Sequence, residues 1–274
     1  MMDITNRYKH FDNIFNMNGI TTRLGGVSQG PYRTLNTSFF GDDDKIAVFE
    51  NIHRVLSDLK IKNNIIIATQ QVHSNKVIEI TDDFSFDQMR RIDTSNSALD
   101  AYQLYVMPET DGLVTRRDDV VLMTFYADCV PLVYETDDKK WIGTVHSGWK
   151  GTSNLMALEA IQILNEKGYK KDQINVGIGQ SAAVCCYEVD QRVYDSFSLN
   201  YHEELLNQIF LNPHEDKYDL DLKLANRLIL VKAGVPNSKI ETISDCTICM
   251  ADLYHSHRRT GYPRGSLSSF ISKK

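Results

Sequence analysis

The sequence predicts a single α+β domain over residues 1–274, with mixed β-sheets flanked by helices. Strand-like and helical runs are interspersed without the regular strand–helix alternation of a doubly wound fold. No Pro-, Gly- or Ser-rich linker and no internal repeat divides the chain. With 42% hydrophobic and 24% charged residues in 274, it has the composition of a globular protein able to bury a sizeable core.

The elements follow in order. Over residues 45–60, Ile46, Phe49, Ile52, Val55, Leu56 and Leu59 recur at three- and four-residue spacing, which predicts an amphipathic helix. Short apolar runs at 64–68, 76–80, 120–125, 131–134 and 141–145 read as strands. The polar stretch 81–96 reads as a surface excursion between two of them. Residues 151–168 return to helical spacing through Leu155, Leu158, Ile161 and Leu164, closing on Gly168. A strand at 174–178, a helix at 220–235 with Gly234 near its end, and a short strand at 266–271 complete the pattern.

Charge and length exclude several function classes. Thirty basic and 36 acidic residues give a net charge of −6, without the clustered basic face that nucleic-acid binding requires. No apolar run approaches the ~20 residues of a membrane helix, and the polar, mixed-charge start is unlike a secretory signal, so a cytoplasmic location is expected. The five cysteines, Cys129, Cys185, Cys186, Cys246 and Cys249, are an odd number in a chain too long to need disulfide staples, and read as reduced thiols. Cys246 and Cys249 form a lone CxxC, poor evidence for structural zinc by itself.

The most informative stretch is Tyr126-Ala-Asp-Cys-Val-Pro131 followed by Gly143-Thr-Val-His-Ser-Gly-Trp-Lys-Gly151. It places Asp128, Cys129 and His146 at strand ends, where a rigid scaffold holds reactive groups. His73, in the polar turn Gln70-Gln-Val-His-Ser74, is a candidate third member. Two imidazoles and a thiolate suit zinc and also accept copper, with a fourth position left for water or substrate. The competing expectation is a buried cysteine beside two hydrogen-bonded histidines. His255 and His257 offer half a metal site if they share a strand face, with a solvated face as the alternative. Arg23, in the Gly-rich segment 21–30, is a candidate anion-binding residue, and Arg258, Arg259 and Arg264 near another glycine-bearing turn could likewise bind phosphate, with a surface arginine cluster as the alternative.

Taken together, the motifs resemble the laccase-domain (YfiH-like) family over nearly the whole chain. They include Thr22-Arg-Leu-Gly-Gly-Val-Ser-Gln-Gly30, Gln71-Val-His73, Thr110-Asp-Gly-Leu-Val-Thr115, Ala127-Asp-Cys-Val-Pro131 and Val145-His-Ser-Gly-Trp-Lys-Gly151. Further along come Cys186-Tyr-Glu-Val189, Asp221-Leu-Lys-Leu-Ala-Asn226, Cys246-Thr247 and Ser256-His-Arg-Arg259. The resemblance implies metal ligation by His73, Cys129 and His146. It also implies phosphorolysis of purine nucleosides (adenosine, inosine, methylthioadenosine) together with adenosine deamination. In that reading Arg23 and Arg259 hold phosphate, Asp128 shuttles a proton, and the partners are small molecules, with no nucleic acid or membrane. Two alternatives stay open: a copper-dependent polyphenol oxidase, and a metal-free hydrolase using Cys129 as nucleophile. Gln180 and Thr260 depart from the family pattern, and Thr260 bears on substrate preference if the aspartate usual there positions substrate.

Overall fold

The structure, a computed structural model, describes residues 6–274. Its strands are β1 (Tyr8–Lys9), β2 (Met17–Thr21), β3 (Ile65–Thr69), β4 (Val77–Ile80), β5 (Arg90–Ile92), β6 (Gln103–Met107), β7 (Gly112–Thr115) and β8 (Val120–Tyr126). They continue as β9 (Val130–Thr136), β10 (Ile142–Ser147), β11 (Ile174–Ile178), β12 (Glu188–Asp190), β13 (Phe210–His214), β14 (Lys217–Leu220), β15 (Ile240–Thr242) and β16 (Leu267–Ser272). The helices are α1 (Lys45–Asp58), α2 (Trp149–Ser153), α3 (Met156–Glu166), α4 (Gln191–Ser198), α5 (Glu203–Ile209), α6 (Leu222–Lys232) and α7 (His257–Thr260). Among the described residues no helix is long and apolar enough to cross a membrane.

Two large mixed sheets and a small antiparallel one form the α+β architecture. The first sheet runs β1-β2-β16-β8-β3-β6-β5, the second β15-β11-β9-β10-β7-β4, and the third β12-β14-β13. Parallel pairs are β3 with β6 and β8, β4 with β7, and β11 with β15.

Side-chain parity layers the molecule. On β8, Val121, Met123 and Phe125 pack with Val48, Ile52, Val55 and Leu56 of α1, whereas Val120 and Leu122 join Val133 and Ile142 of the second sheet. The outer face of that second sheet carries Leu132, Tyr134, Val145 and Val176, which pack against α3 and α6. Helix, sheet, sheet and helices therefore stack in four layers. A strand covered on both faces has no polar face to show, and all seven residues of β8 are buried.

Between the sheets the apolar contact gives way to hydroxyls. Thr124 Oγ1 meets Thr144 Oγ1 at 2.8 Å, and Thr144 Oγ1 meets Ser269 Oγ at 2.7 Å. One step further along the same strand faces stand Tyr126 and His146, ring centroids 5.7 Å apart. Here the chain leaves the first sheet at Tyr126, turns through Ala127-Asp128-Cys129, and enters the second at Val130.

The expected helix over 151–168 is two helices. Asn154 Nδ2 bonds back to the Lys150 carbonyl, and Leu155 takes a left-handed conformation at φ +62°, breaking the helical run before α3 begins. Gly168 closes α3 at φ +92°, where a residue without Cβ carries no steric penalty. The 81–96 excursion contributes the edge strand β5 to the first sheet.

Candidate metal centre

One buried carboxylate organises the centre. Asp111, just before β7, is fully buried, and its Oδ1 accepts from the His73 backbone N–H at 3.1 Å and pairs with His146 Nδ1 at 2.9 Å. Its Oδ2 accepts from the backbone N–H groups of Val72 (3.2 Å) and Ser74 (2.8 Å) and from the Ser74 hydroxyl (2.7 Å). The turn carrying His73 is thus wrapped around the group that orients His146, and His73 itself sits at φ +60°. Burial works against the carboxylate, but the His146 pairing and the Ser74 hydrogen bonds outweigh it and hold its pKa down at about 2.

His146 projects from the inner face of β10, almost fully buried, and its Nδ1 is committed to Asp111, so Nε2 is the ring nitrogen left for a ligand. Cys129 is half-buried in the crossover turn between the sheets, and His73 is exposed. Cys129 Sγ lies 3.9 Å from His73 Nε2, and one ligand atom from each of His73, Cys129 and His146 falls within 4.8 Å of the others. Burial pushes the Cys129 thiol up; the His146 imidazole, with His73 adding to it, overrides this and brings the thiol to about 6. Burial pulls His146 down, yet the facing Cys129 sulfur and Asp111 carry it up to about 9. The sulfur is therefore held as thiolate, the form that binds metals and attacks electrophiles.

The donor set and the space around it fit a metal ion. Two imidazoles and a thiolate are a borderline-soft set suited to zinc, and a carboxylate behind one imidazole is the usual outer support of such a ligand. Gly148 covers the three donors: a Cβ placed there would lie 2.9 Å from Cys129 Sγ and 3.0 Å from His73 Cδ2. At φ −75° its backbone suits any residue, so space is what requires glycine.

The centre lies between two cavities that share His73, Ala127, Cys129 and Arg264. One, about 420 Å³, adds Phe40, Phe125, Tyr126 and His146; the other, about 440 Å³, adds Asp128, Trp149, Tyr187, His257 and Arg258. Each is large enough for part of a drug-sized ligand.

The sequence model of a family described as multi-copper polyphenol oxidoreductase laccase matches residues 17–274. The chain belongs to that family. It is 33% identical over 257 residues to the purine nucleoside phosphorylase YlmD of Geobacillus stearothermophilus, covering 93% of this chain and 89% of that protein. It is 29% identical over 255 residues to adenosine deaminase RL5 from an unknown prokaryotic organism, covering 93% and 91%. The crystal structure of YlmD from Geobacillus stearothermophilus superposes with a TM-score of 0.85 at 32% identity, covering 97% of this chain and 96% of that one. The relatives' names support an enzyme acting on purine nucleosides.

Other expectations need correction. Arg23 spends its guanidinium on the carbonyls of Arg33 and Ala251, and Arg259 on those of Thr247, Ile248 and Tyr254; neither lines the cleft. The cationic side chains that do line it are Arg264, in both cavities, and Arg258, in one. Arg264 Nε is buried with no hydrogen-bond partner, a donor lacking an acceptor. Asp128, at φ +93°, accepts from Thr247 Oγ1, Ser256 Oγ and the Arg258 backbone N–H. Three donors on its two oxygens clamp the crossover turn beside the cavity it lines.

His255 and His257 do not share a solvated face: His255 is buried and His257 is exposed at the start of α7. Thr260 lines neither of these cavities, and its hydroxyl donates to the Ser256 carbonyl. Gln180 is buried and donates to the carbonyl of Thr21. Sequence reasoning missed Asp111, although Thr110-Asp-Gly was visible as a motif, because its role exists only once β7, β10 and the 72–74 turn meet.

Proposed function

We propose that the protein is a zinc-dependent purine nucleoside phosphorylase that also deaminates adenosine, with His73, Cys129 and His146 as the metal ligands. The observation that carries this reading is the convergence of these three donors at the junction of two cavities that Arg264 also lines. The relatives' names support the phosphorylase and deaminase activities in this reading.

In phosphorolysis an oxygen of orthophosphate bonds to the anomeric carbon as the glycosidic C–N bond breaks, and the bonding pair leaves with the purine. The cleft must therefore hold an anion on one side and a flat base on the other. Arg264 and Arg258 supply cationic N–H groups for the phosphate, in place of Arg23 and Arg259. Phe40, Phe125 and Tyr126 offer aromatic surface for the base. His73, Cys129 and His146 would hold a zinc ion, which would supply a Lewis acid able to assist both phosphorolysis and the displacement of ammonia by water. Asp111 keeps His146 in one tautomer and orientation throughout.

A polyphenol oxidase reading finds less support. Reducing oxygen to water takes several coppers on many histidines, and one cysteine with two histidines is a single-ion set. Incubating the protein with adenosine or inosine, with and without phosphate, should release free base only when phosphate is present. His73→Ala should lose both the metal and at least 100-fold in kcat/KM. Full activity in chelator-stripped protein would sink the proposal and leave Cys129 as a nucleophile.

A further inference from the structure

The fold assembles a second cluster of metal-ligating side chains. Cys185 and Cys186, in the turn after β11, meet Cys246 and Cys249, which follow β15, and the four sulfurs lie within 4.8 Å of one another. Sixty residues separate the adjacent pair from the CxxC pair, so neither half is a signature in the sequence alone. The segments are already joined by backbone: Ser181 bridges Cys246, and the Thr247 N–H donates to the Ser181 carbonyl at 3.0 Å.

We propose that Cys185, Cys186, Cys246 and Cys249 hold one zinc(II) ion as a structural tetrathiolate site. Zn–S bonds of about 2.3 Å in a tetrahedron put neighbouring sulfurs about 3.8 Å apart. Cys185 Sγ and Cys249 Sγ are 3.9 Å apart, one edge of that figure. A tetrahedral ion would gather all four sulfurs into one site.

The surroundings suit an anionic centre. Lys223 is buried, donates to the carbonyls of Ser244 and Asp245 immediately before Cys246, and acts on Cys246 and Cys185 through its charge. Cys185 and Cys249 are exposed, which gives the ion a way in.

The site would brace the catalytic cleft from behind. Cys186 precedes Tyr187, which lines one cavity, and Cys246 precedes Thr247, which holds Asp128 at the crossover turn. Binding displaces the thiol protons to solvent, so occupancy falls as the pH is lowered.

Metal analysis and zinc X-ray absorption on reduced, zinc-saturated protein freed of loose ion test this. Two zinc ions per chain are expected in the wild type. His73→Ala with His146→Ala should keep one, in a shell of four sulfurs at about 2.3 Å. Cys185→Ser with Cys249→Ser should keep the other, in a mixed nitrogen and sulfur shell, and lower the melting temperature. If that variant does not fold, the histidine variant alone decides. A single zinc in the wild type with a mixed nitrogen and sulfur shell, no four-sulfur shell in the histidine variant, iron in place of zinc, or a disulfide among these cysteines in reduced protein would each overturn the assignment, whereas a single zinc in a four-sulfur shell would keep it and count against the His73, Cys129 and His146 ion instead.

Discussion

At the scale of single residues, Asp111 and Gly148 set how well the proposed centre would hold an ion. Asp111 fixes His146 by its ring nitrogen and His73 through the backbone of its turn. Asp111→Asn keeps the shape but removes the charge and one acceptor. Losing such an outer partner typically costs 10–100-fold in metal affinity, and competition against a chromophoric chelator should read a loss in that range. Affinity within twofold of wild type would mean the histidines are positioned by something else. Gly148→Ala attacks the same property by bulk, since its Cβ would fall 2.9 Å from Cys129 Sγ. With an ordinary φ of −75°, the substitution should weaken zinc binding while leaving the melting temperature within a few degrees. The residue types of this site were legible in the sequence, because cysteine and histidine at strand ends are conspicuous. The support was not, because aspartate before a glycine reads equally well as a turn, and arginines near glycine turns read as anion donors until their carbonyl partners are seen.

At the scale of elements, the two large sheets are registered against each other by hydroxyls as well as by apolar contact. Thr124, Thr144 and Ser269 form a buried chain between β8, β10 and β16, which are the strands that present Tyr126 and His146. Thr144→Val preserves shape and leaves the Ser269 hydroxyl without this partner. A buried polar group stranded in this way costs about 1–3 kcal/mol, and the midpoint of urea unfolding should fall accordingly at unchanged slope. A midpoint equal to wild type would mean the hydroxyls find other partners. The sequence shows these strands as apolar runs because they are covered on both faces, and for the same reason it does not show which face meets which layer. It shows α1 through its one-sided apolar stripe, and it shows that α6 is helical without showing which face is buried, since Lys223 and Asn226 are buried there and Val231 is exposed. It hides the small β12-β14-β13 sheet, whose outer residues 211–214 are exposed and carry little alternation, and it hides the break at Leu155, where apolar spacing runs on across a left-handed residue.

At the scale of the whole molecule, stability in mild acid should be governed by a histidine outside the centre. His255 is buried, its ring packed where Gly265 leaves room, and its Nε2 has no partner. Burial, together with the nearby guanidiniums of Arg23, Arg264 and Arg259, holds its pKa down at about 3, against 6.5 for a free histidine. Between these values the unfolded chain binds a proton that the folded one refuses, so the stability contributed by this ring is complete above pH 6.5 and is withdrawn as the pH falls toward 3. The rate is about 1.4 kcal/mol per pH unit. Of the groups of the metal centre, Cys129 in the metal-free protein, brought to about 6, contributes stability that is withdrawn as the pH falls from 9 toward 6, so it overlaps only the top of this window and does so equally in wild type and variant. His146 in the metal-free protein, raised to about 9, contributes stability fully present below 6.5 and lost only as the pH rises through 9. Asp111, held at about 2, contributes stability lost only as the pH falls below the free-carboxyl value of 3.8. Unfolding free energies measured at pH 6.5, 5.5 and 4.5 should therefore fall less steeply in His255→Gln than in wild type, by roughly one proton's worth of slope. Equal slopes would show that His255 takes up its proton without unfolding the chain, and that the three arginines around it yield.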